Sequence, residues 1–310
     1  MKNKLLQLAS IALLVVILFF VFVSKNFKQT KPEAENNDSK INIVASFYPI
    51  FFFASKIGGE HVRVVNITPS GAEPHDYEPT TSDIAKIENS NLVIINGGVE
   101  VWADKIKDSL NNKNISIVKA GDGLLTQDLA EEGKTSKDPH VWLDPTLAKK
   151  EVEKISEALQ NIDSDNSQIY KQNTILLKNK LDSLDADFKK ELASCKTKDI
   201  ITSHAAFGYL STRYDLQQVS IAGLSPDEEP SEKQLTEISK FAKANKVKYI
   251  FFENLVSPKL SETIANEIGA KTLVLNPLEG LTDDQMQKGE NYFSQMQQNL
   301  KNLKIALECT

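Results

Sequence analysis

Short apolar runs alternate with amphipathic stretches in two separate portions of the chain. The first portion has apolar runs at residues 41–47, 62–68, 92–96 and 115–118, and helical patterns such as 82–90 and 99–110. The second portion has runs at 199–203, 218–222, 249–253 and 272–276, and helical patterns at 231–245, 258–268 and 284–307. Such runs between helices are typical of parallel strands covered on both faces. The pattern predicts the α/β class, with two parallel-sheet lobes at residues 41–146 and 196–310.

The segment between the lobes, residues 147–195, follows a different period. Its apolar residues recur every three or four positions, as in Leu177, Leu181 and Leu184, and this spacing indicates amphipathic helices. Neither Pro nor Gly occurs in residues 165–195, so this stretch predicts one helix of about 45 Å at 1.5 Å per residue. A continuous helix is a poor hinge, and we expect only small motion of the two lobes it joins.

The N-terminal residues predict attachment to a membrane. Residues 5–23 are apolar except for Gln7 and Ser10, and a run of this length approaches the roughly 20 residues of a transmembrane helix. A cleavage site of small residues is not evident, so residues 1–28 predict an uncleaved anchor, with a cleaved signal peptide as the alternative. Residues 29–40 are polar and predict a flexible tether. Lysines flank the apolar run on both sides, so the run alone does not fix the orientation, and we expect the lobes at the extracytoplasmic face partly because of the function that their own motifs imply.

Charge and cysteine content narrow the functional classes. The chain of 310 residues has a formal net charge of −6, which argues against a nucleic-acid partner because phosphate binding needs clustered basic residues. The two cysteines, Cys195 and Cys309, lack the short spacing of a thiolate metal site. They either form a disulfide or remain separate thiols, because pairing depends on a distance that the sequence does not contain.

Three of the four histidines follow predicted strands. His75, His140 and His204 lie in the segments PHDYEP, DPHVWLDP and SHAAFGYL, each on the carboxyl side of a strand, where open α/β sheets bind ligands. Glu279 follows the last strand in the same way. Three imidazoles and one carboxylate form a tetrahedral set suited to zinc, and four protein ligands favour binding over catalysis. His61 precedes a strand, and we expect no metal role for it.

These segments resemble those of the zinc and manganese solute-binding proteins of bacterial ABC importers, over about residues 41–307. The segments IAGLSP at 221–226, FEN at 252–254 and NPLEGLT at 276–282 extend the resemblance. It implies two α/β lobes joined by a single long helix, with a metal buried in the cleft between them. It also implies delivery of that metal to a membrane permease driven by a separate ATPase. We expect the protein to be a monomer.

The resemblance also maps the metal ligands onto this chain. It implies that His75, His140 and His204 bind the metal, with Glu279 as the fourth ligand of the zinc-binding members. Glu290 is the competing fourth ligand, because it matches the C-terminal carboxylate of the manganese-binding members. An imidazole at position 204 favours Zn²⁺, whereas the harder Mn²⁺ prefers additional oxygen. We therefore expect Zn²⁺ as the transported metal, with Mn²⁺ as the alternative.

Two features of the chain depart from the family pattern. Many relatives are lipoproteins with an N-terminal cysteine, but no cysteine precedes Cys195 here. Many zinc-binding members carry a histidine-rich loop before the second ligand, whereas residues 121–139 contain acidic residues and no histidine. We interpret that segment as a solvated loop.

Two other functions compete with zinc import. A metal-dependent surface adhesin has no motif by which the sequence excludes it. A zinc hydrolase, with Glu279 as its base, is disfavoured because the chain has no HExxH motif and because hydrolysis needs an open coordination position. The sequence thus predicts a binding protein and not an enzyme.

Overall fold

The computed structural model describes residues 40–106, 115–131, 134–226 and 229–310. The predicted membrane anchor and tether, and the end of the helix predicted at 99–110, lie outside these ranges. Within them, no helix is both long enough and apolar enough to cross a membrane.

Two four-stranded parallel sheets form the framework, and all eight predicted strands are present. The first sheet has the order β2-β1-β3-β4, with strands Ile41–Ala45 (β1), Val62–Asn66 (β2), Leu92–Ile95 (β3) and Ser116–Lys119 (β4). An antiparallel hairpin follows, Asp128–Glu131 (β5) with Lys134–Lys137 (β6). The second sheet has the order β10-β9-β7-β8, with strands Asp199–Thr202 (β7), Gln217–Ser220 (β8), Tyr249–Phe252 (β9) and Lys271–Val274 (β10).

The two sheets share one topology. In each, the first strand lies between the second and the third, so the chain proceeds in opposite directions from that point. A crevice forms there at the carboxyl ends of the strands, where α/β proteins bind their ligands. The crevice of the second sheet lies between β7 and β9, which are paired at Ile201 and Ile250.

Helices cover both sheets, and their ends follow local sequence signals. Those of the first sheet include Tyr48–Gly58 (α1) and Thr81–Glu88 (α2). Helices Pro145–Ile162 (α3) and Ser167–Leu192 (α4) connect the sheets. Those of the second sheet are Gly208–Arg213 (α5), Glu232–Ala244 (α6), Lys259–Ile268 (α7), Asp283–Gln287 (α8) and Tyr292–Ala306 (α9). Thr80 and Ser231 begin α2 and α6 with capping boxes, which satisfy free N–H groups of the first turn.

The long helix α4 is bonded to both lobes, as its predicted length allows. Its 26 residues span about 39 Å. Asn173 in its first half donates a hydrogen bond to the carbonyl of Ile57 in the first lobe, at 2.9 Å. Asp185 in its second half accepts one from Nε of Arg213 in the second lobe, also at 2.9 Å. One apolar core, which contains residues of both sheets, lies beside this helix.

The single C-terminal helix predicted at 284–307 is wrong, because two helices occupy the segment. Gly289 adopts a φ of 75°, a left-handed conformation that ends α8. Asn291 then begins α9, since its side chain accepts hydrogen bonds from the N–H groups of Phe293 and Ser294. The predicted apolar face is correct, and Met296, Leu300 and Leu303 are buried on it.

Tertiary structure decides the pairing of the cysteines and changes the interpretation of the acidic segment. Cys195 and Cys309 form a disulfide that joins the segment after α4 to the C-terminus. The acidic segment at 121–139, interpreted as a solvated loop, instead contains the β5–β6 hairpin. Thr126 and Gln127 at the base of that hairpin form hydrogen bonds with Tyr209 and Thr212 of α5 in the second lobe.

Candidate metal centre

Three histidines and one glutamate meet in the cleft between the two sheets. His75 follows β2 and His140 follows the hairpin after β4, whereas His204 follows β7 and Glu279 follows β10. One ligand atom of each lies within 4.8 Å of all the others, and this is the one such group among the described residues. All four residues are buried. The structure thus brings together the residues that the sequence singled out.

The spacing of the four atoms matches a tetrahedral zinc site. Oε1 of Glu279 lies 3.3, 3.1 and 3.3 Å from Nε2 of His75, His140 and His204. Nε2 of His140 lies 3.2 Å from that of His75 and 3.4 Å from that of His204. Zinc binds such atoms at about 2.0 to 2.1 Å, so a regular tetrahedron has edges of about 3.3 to 3.4 Å. The five distances therefore fit an ion at the centre of the group.

Carboxylates behind two of the histidines determine which ring nitrogen faces the centre. Nδ1 of His140 lies 2.8 Å from Oδ1 of Asp138, and Nδ1 of His204 lies 2.8 Å from each oxygen of Glu253. Because a carboxylate accepts hydrogen bonds, the neutral form of each imidazole carries its proton on Nδ1 and keeps a free lone pair on Nε2. This arrangement also makes the imidazole a stronger metal ligand.

The electrostatics of the centre are dominated by burial and by the ring of carboxylates. Burial lowers the pKa of His75. Burial also acts to lower the pKa of His140, but the hydrogen bond with Asp138 raises that pKa above its ordinary value. Burial acts on His204 in the same way, but the charges of Glu253 and Glu279 raise the pKa of His204 well above its ordinary value. Protons on the imidazoles of His140 and His204 therefore compete with a metal ion for this centre.

Glu279 stays ionised for the corresponding reason. Burial acts to raise its pKa, but the charge of His204 and the hydrogen bond with His140 hold that pKa well below its ordinary value. Glu73, which accepts a hydrogen bond from the backbone N–H of His75 at 3.2 Å, behaves oppositely. Burial and the charge of Glu279 raise the pKa of Glu73 to about 9.

A network of side-chain amides holds the loop that carries Glu279. The preceding residue, Leu278, has a φ of 60°, which is strained for a branched side chain. Its N–H donates to Oδ1 of Asn276 at 2.7 Å. Asn299 of α9 binds both the N–H and the carbonyl of Asn276, at 2.8 and 2.7 Å. The strained turn is thus supported from α9, and it directs the carboxylate into the cleft.

The aromatic ring of Trp142 closes the apolar side of the centre. It is fully buried, and its centroid lies 5.1 Å from that of the His140 ring. Its Nε1–H donates to the carbonyl of Pro277 in the second lobe at 2.7 Å, and its own carbonyl accepts from Tyr292 at 2.5 Å. Trp142 therefore joins the lobes directly beside the four candidate ligand residues.

The group excludes Glu290, the alternative fourth ligand, and His61, for which no metal role is expected. Glu290 is partly exposed and accepts a hydrogen bond from Gln295. His61 lies on the short turn before β2 and meets the ring edge of Tyr170 at 6.5 Å. Neither belongs to the four-residue group in the described part of the chain.

Sequence reasoning missed the roles of Asp138 and Glu253. Asp138 lies two residues before His140, a spacing that allows a carboxylate to turn back onto the imidazole. Glu253 directly follows β9, which pairs with the strand that ends before His204. A carboxylate at the end of the neighbouring strand was the available signal for Glu253.

The chain matches the family model described as zinc-uptake complex component A, periplasmic, over residues 43–306. It is similar to the zinc-binding lipoprotein AdcA of Streptococcus pneumoniae, with 40% identity over 98% of this chain. The alignment covers 61% of that relative, so this chain spans less than two thirds of its length. It is also similar to the high-affinity zinc uptake system protein ZnuA of Bacillus subtilis, with 38% identity over 94% of this chain and 96% of the relative.

Solved structures show the same likeness. The Zn(II)-bound ZnuA-like domain of Streptococcus pneumoniae AdcA superposes with a TM-score of 0.76 and 40% identity, over 87% of this chain and 99% of the domain. The laminin-binding protein Lmb of Streptococcus agalactiae, described as a bifunctional protein with adhesin and metal transporting activity, superposes with a TM-score of 0.77 and 31% identity. That match covers 86% of this chain and 99% of Lmb.

Proposed function

The chain belongs to the family of the periplasmic zinc-uptake complex component A, and on that premise we propose that it captures Zn²⁺ for import. One observation carries the proposal. Three imidazole nitrogens and one carboxylate oxygen, contributed by two different sheets, converge in a buried cleft at distances of 3.1 to 3.4 Å. Those separations match the edges of a zinc tetrahedron.

In this proposal His75, His140, His204 and Glu279 are the four ligands of the transported ion. Three nitrogens and one oxygen favour Zn²⁺ over Mn²⁺, which prefers more oxygen ligands. Four protein ligands complete the tetrahedral shell and leave no position for an activated water molecule, so we expect binding without hydrolysis. Glu290 is not a ligand in this proposal, because it is partly exposed and bonded to Gln295.

The partner in this proposal is a membrane permease with a separate ATPase, and the place of action is the extracytoplasmic face of the membrane. The zinc-binding lipoprotein and zinc-uptake names of the relatives support this assignment. We retain residues 41–146 and 196–310 as two lobes joined by the helical segment 147–195, because each lobe contains one parallel sheet. The core shared by both lobes favours small movements on zinc binding.

A surface adhesin is the second candidate, since the likeness to Lmb favours it. The two functions are separable. An adhesin would bind an extracellular ligand such as laminin, whereas deletion of the gene would leave zinc uptake at low zinc concentration unchanged. A zinc transporter component would show the loss of that uptake.

The deciding experiment is a competitive titration of the purified full chain with Zn²⁺ and Mn²⁺ against a chelator. We expect one Zn²⁺ per chain, bound far more tightly than Mn²⁺, with nanomolar affinity or better, which corresponds to about 12 kcal/mol. His204→Ala and Glu279→Ala should each weaken binding strongly. Glu290→Ala is the matched control for the fourth ligand and should bind as the wild type does.

Two results would contradict the proposal in different ways. Equal affinity for Mn²⁺ would show that the transported metal is misassigned. A silent Glu279→Ala together with a damaging Glu290→Ala would show that the fourth ligand is misassigned.

A further inference from the structure

A tyrosine of the second lobe holds the segment that precedes His140. Tyr209 lies on α5 and is 3% exposed. Its hydroxyl accepts hydrogen bonds from the N–H groups of Thr126 at 2.8 Å and Gln127 at 3.1 Å. The hydroxyl itself donates to the carbonyl of Asp138 at 3.1 Å, and the carbonyl of Leu124 is a more distant acceptor at 3.5 Å. One phenol thus uses its donor and both acceptor positions on a single segment of the other lobe.

The segment held in this way is the base of the β5–β6 hairpin. Gln127 directly precedes the hairpin and Asp138 directly follows it, and the N–H of Asp138 donates to the carbonyl of Gln127 at 3.0 Å. The side chain of Gln127 also crosses to the second lobe and donates to Thr212 of α5 at 3.0 Å. Both residues at the hairpin base are therefore fastened to α5.

The base of the hairpin also contains Asp138, which orients one histidine of the metal centre. Asp138 is fully buried and accepts at Oδ1 the hydrogen bonds of the backbone N–H and Nδ1 of His140, at 2.9 and 2.8 Å. Its backbone is bound by Tyr209 and its side chain is bound to the histidine. The contact between the lobes thus reaches a metal-facing imidazole through one residue.

Gly208 shows how closely α5 approaches this residue. A Cβ atom placed on Gly208 would lie 2.6 Å from Oδ2 of Asp138 and 2.8 Å from Oε1 of Gln127. Any side chain at this position would displace the carboxylate that orients His140. The absence of a side chain is what lets the Tyr209 hydroxyl reach the hairpin base.

We propose that Tyr209 is a positioning residue that fixes His140 against the second lobe and thereby slows zinc release. The inference rests on the proposed function. Release requires the ligands of the first lobe to part from His204 and Glu279 of the second. The hydrogen bonds of Tyr209 cross the same boundary beside His140, so they must break before that histidine moves away.

The test measures zinc release from the full chain after mixing with an excess of a strong chelator. Tyr209→Phe keeps the ring and removes the hydroxyl, and we expect release about ten times faster than from the wild type, as loss of a net hydrogen bond predicts. The visible spectrum of the Co²⁺-loaded variant should match the wild type, because the ligand set is unchanged. If Tyr209 had only a structural role, its loss would change the spectrum together with the release rate.

Tyr214→Phe is the matched control. Tyr214 directly follows α5, is also buried, and donates its hydroxyl proton to Asp185 of α4 at 3.2 Å, away from the hairpin base. We expect its zinc release to stay within about twofold of the wild type, because its bond does not reach a ligand. If Tyr209→Phe folds poorly, Gln127→Ala removes only the bond to Thr212 and should show a smaller acceleration.

The outcomes separate this inference from the proposed function. A wild-type chain that fails to bind zinc overturns both. Tight zinc binding by the wild type, with unchanged release from Tyr209→Phe and Gln127→Ala, overturns the inference alone. Equal acceleration by Tyr209→Phe and Tyr214→Phe also overturns it, because the effect would then follow from general loss of stability.

Discussion

Replacement of Glu253 by glutamine tests the chemistry behind the metal-facing nitrogens. Both carboxylate oxygens of Glu253 lie 2.8 Å from Nδ1 of His204, and neither residue is more than 3% exposed. Glu253→Gln retains an acceptor for the Nδ1 proton and has nearly the same shape. What it removes is a full negative charge in a dry site, where a charge acts strongly.

The size of the effect follows from the role of that charge. A carboxylate behind a metal-bound imidazole increases the basicity of the ligand, and its removal typically lowers metal affinity by about 10- to 100-fold. We expect a loss of this size for Glu253→Gln above about pH 8, where proton competition is weakest.

The effect should shrink as the pH falls, which distinguishes it from simple damage to the site. The charges of Glu253 and Glu279 hold the pKa of His204 well above its ordinary value, so protons compete with zinc in the wild type. Without Glu253 that pKa is lower, and the competing proton leaves more readily. The ratio of wild-type to variant affinity should therefore decrease from pH 8 towards about pH 6.

The assay is chelator competition with the full chain at several pH values. Glu267→Gln is the matched control, because Glu267 is a glutamate of the same lobe that is exposed and bonded to Ser239 and Lys243. It should bind zinc as the wild type does at every pH. The reasoning is refuted if Glu253→Gln binds zinc normally at pH 8, or if its deficit grows as the pH falls.

Three further predictions concern protons and stability. In the wild type, zinc affinity should fall steadily from about pH 8 to pH 6, because the pKa values of His140 and His204 are raised and zinc displaces their protons; a flat titration would contradict this. The disulfide joins Cys195 to Cys309, 114 positions apart, so replacing both by serine should lower the free energy of unfolding in urea by about 2 to 5 kcal/mol. An unchanged midpoint under oxidising conditions would contradict this. Glu151 is fully buried, its oxygens have no hydrogen-bond partner among the described residues, and burial raises its pKa well above the ordinary value. Glu151→Met should therefore raise the free energy of unfolding at pH 8 and do so by much less at pH 4.5, because the folded protein loses stability as the pH rises above the pKa of the unfolded carboxyl. The absence of a gain at pH 8 would refute the reasoning.

The strands, and the edge of the sheet at which each candidate ligand residue lies, could be predicted because both are encoded locally. Each strand is a short apolar run, as in the fully buried residues of β3, and the alternation with helices imposes parallel strands. The direction of a parallel strand then determines which of its ends is at the ligand-binding edge. His75, His204 and Glu279 follow their strands directly or by a short loop, so their common location was predictable without any knowledge of distance.

The break between α8 and α9 shows where local reasoning failed even within one segment. The apolar spacing of residues 284–307 is continuous, and the spacing alone predicts one helix. The left-handed turn at Gly289 and the cap at Asn291 are also encoded locally. The continuous apolar spacing, however, is the stronger sequence signal, and it predicts a single helix. A glycine inside a helical pattern is often tolerated, so the pattern does not decide.

The sequence by itself indicated the fold class, the helical link and three of the four candidate ligands, because these depend on neighbours a few positions apart. It left Glu279 and Glu290 as alternatives for the fourth. Tertiary structure alone decided four features. They are the convergence of the four candidate ligand atoms, the disulfide between Cys195 and Cys309, the hydrogen bonds of Glu253 with His204, and those of Tyr209 with the hairpin base. These contacts join residues 49 to 204 positions apart, and their distances result from the packing of two sheets around one core. The apolar periodicity shows which face of each element is buried, but it gives no information about the distance between elements.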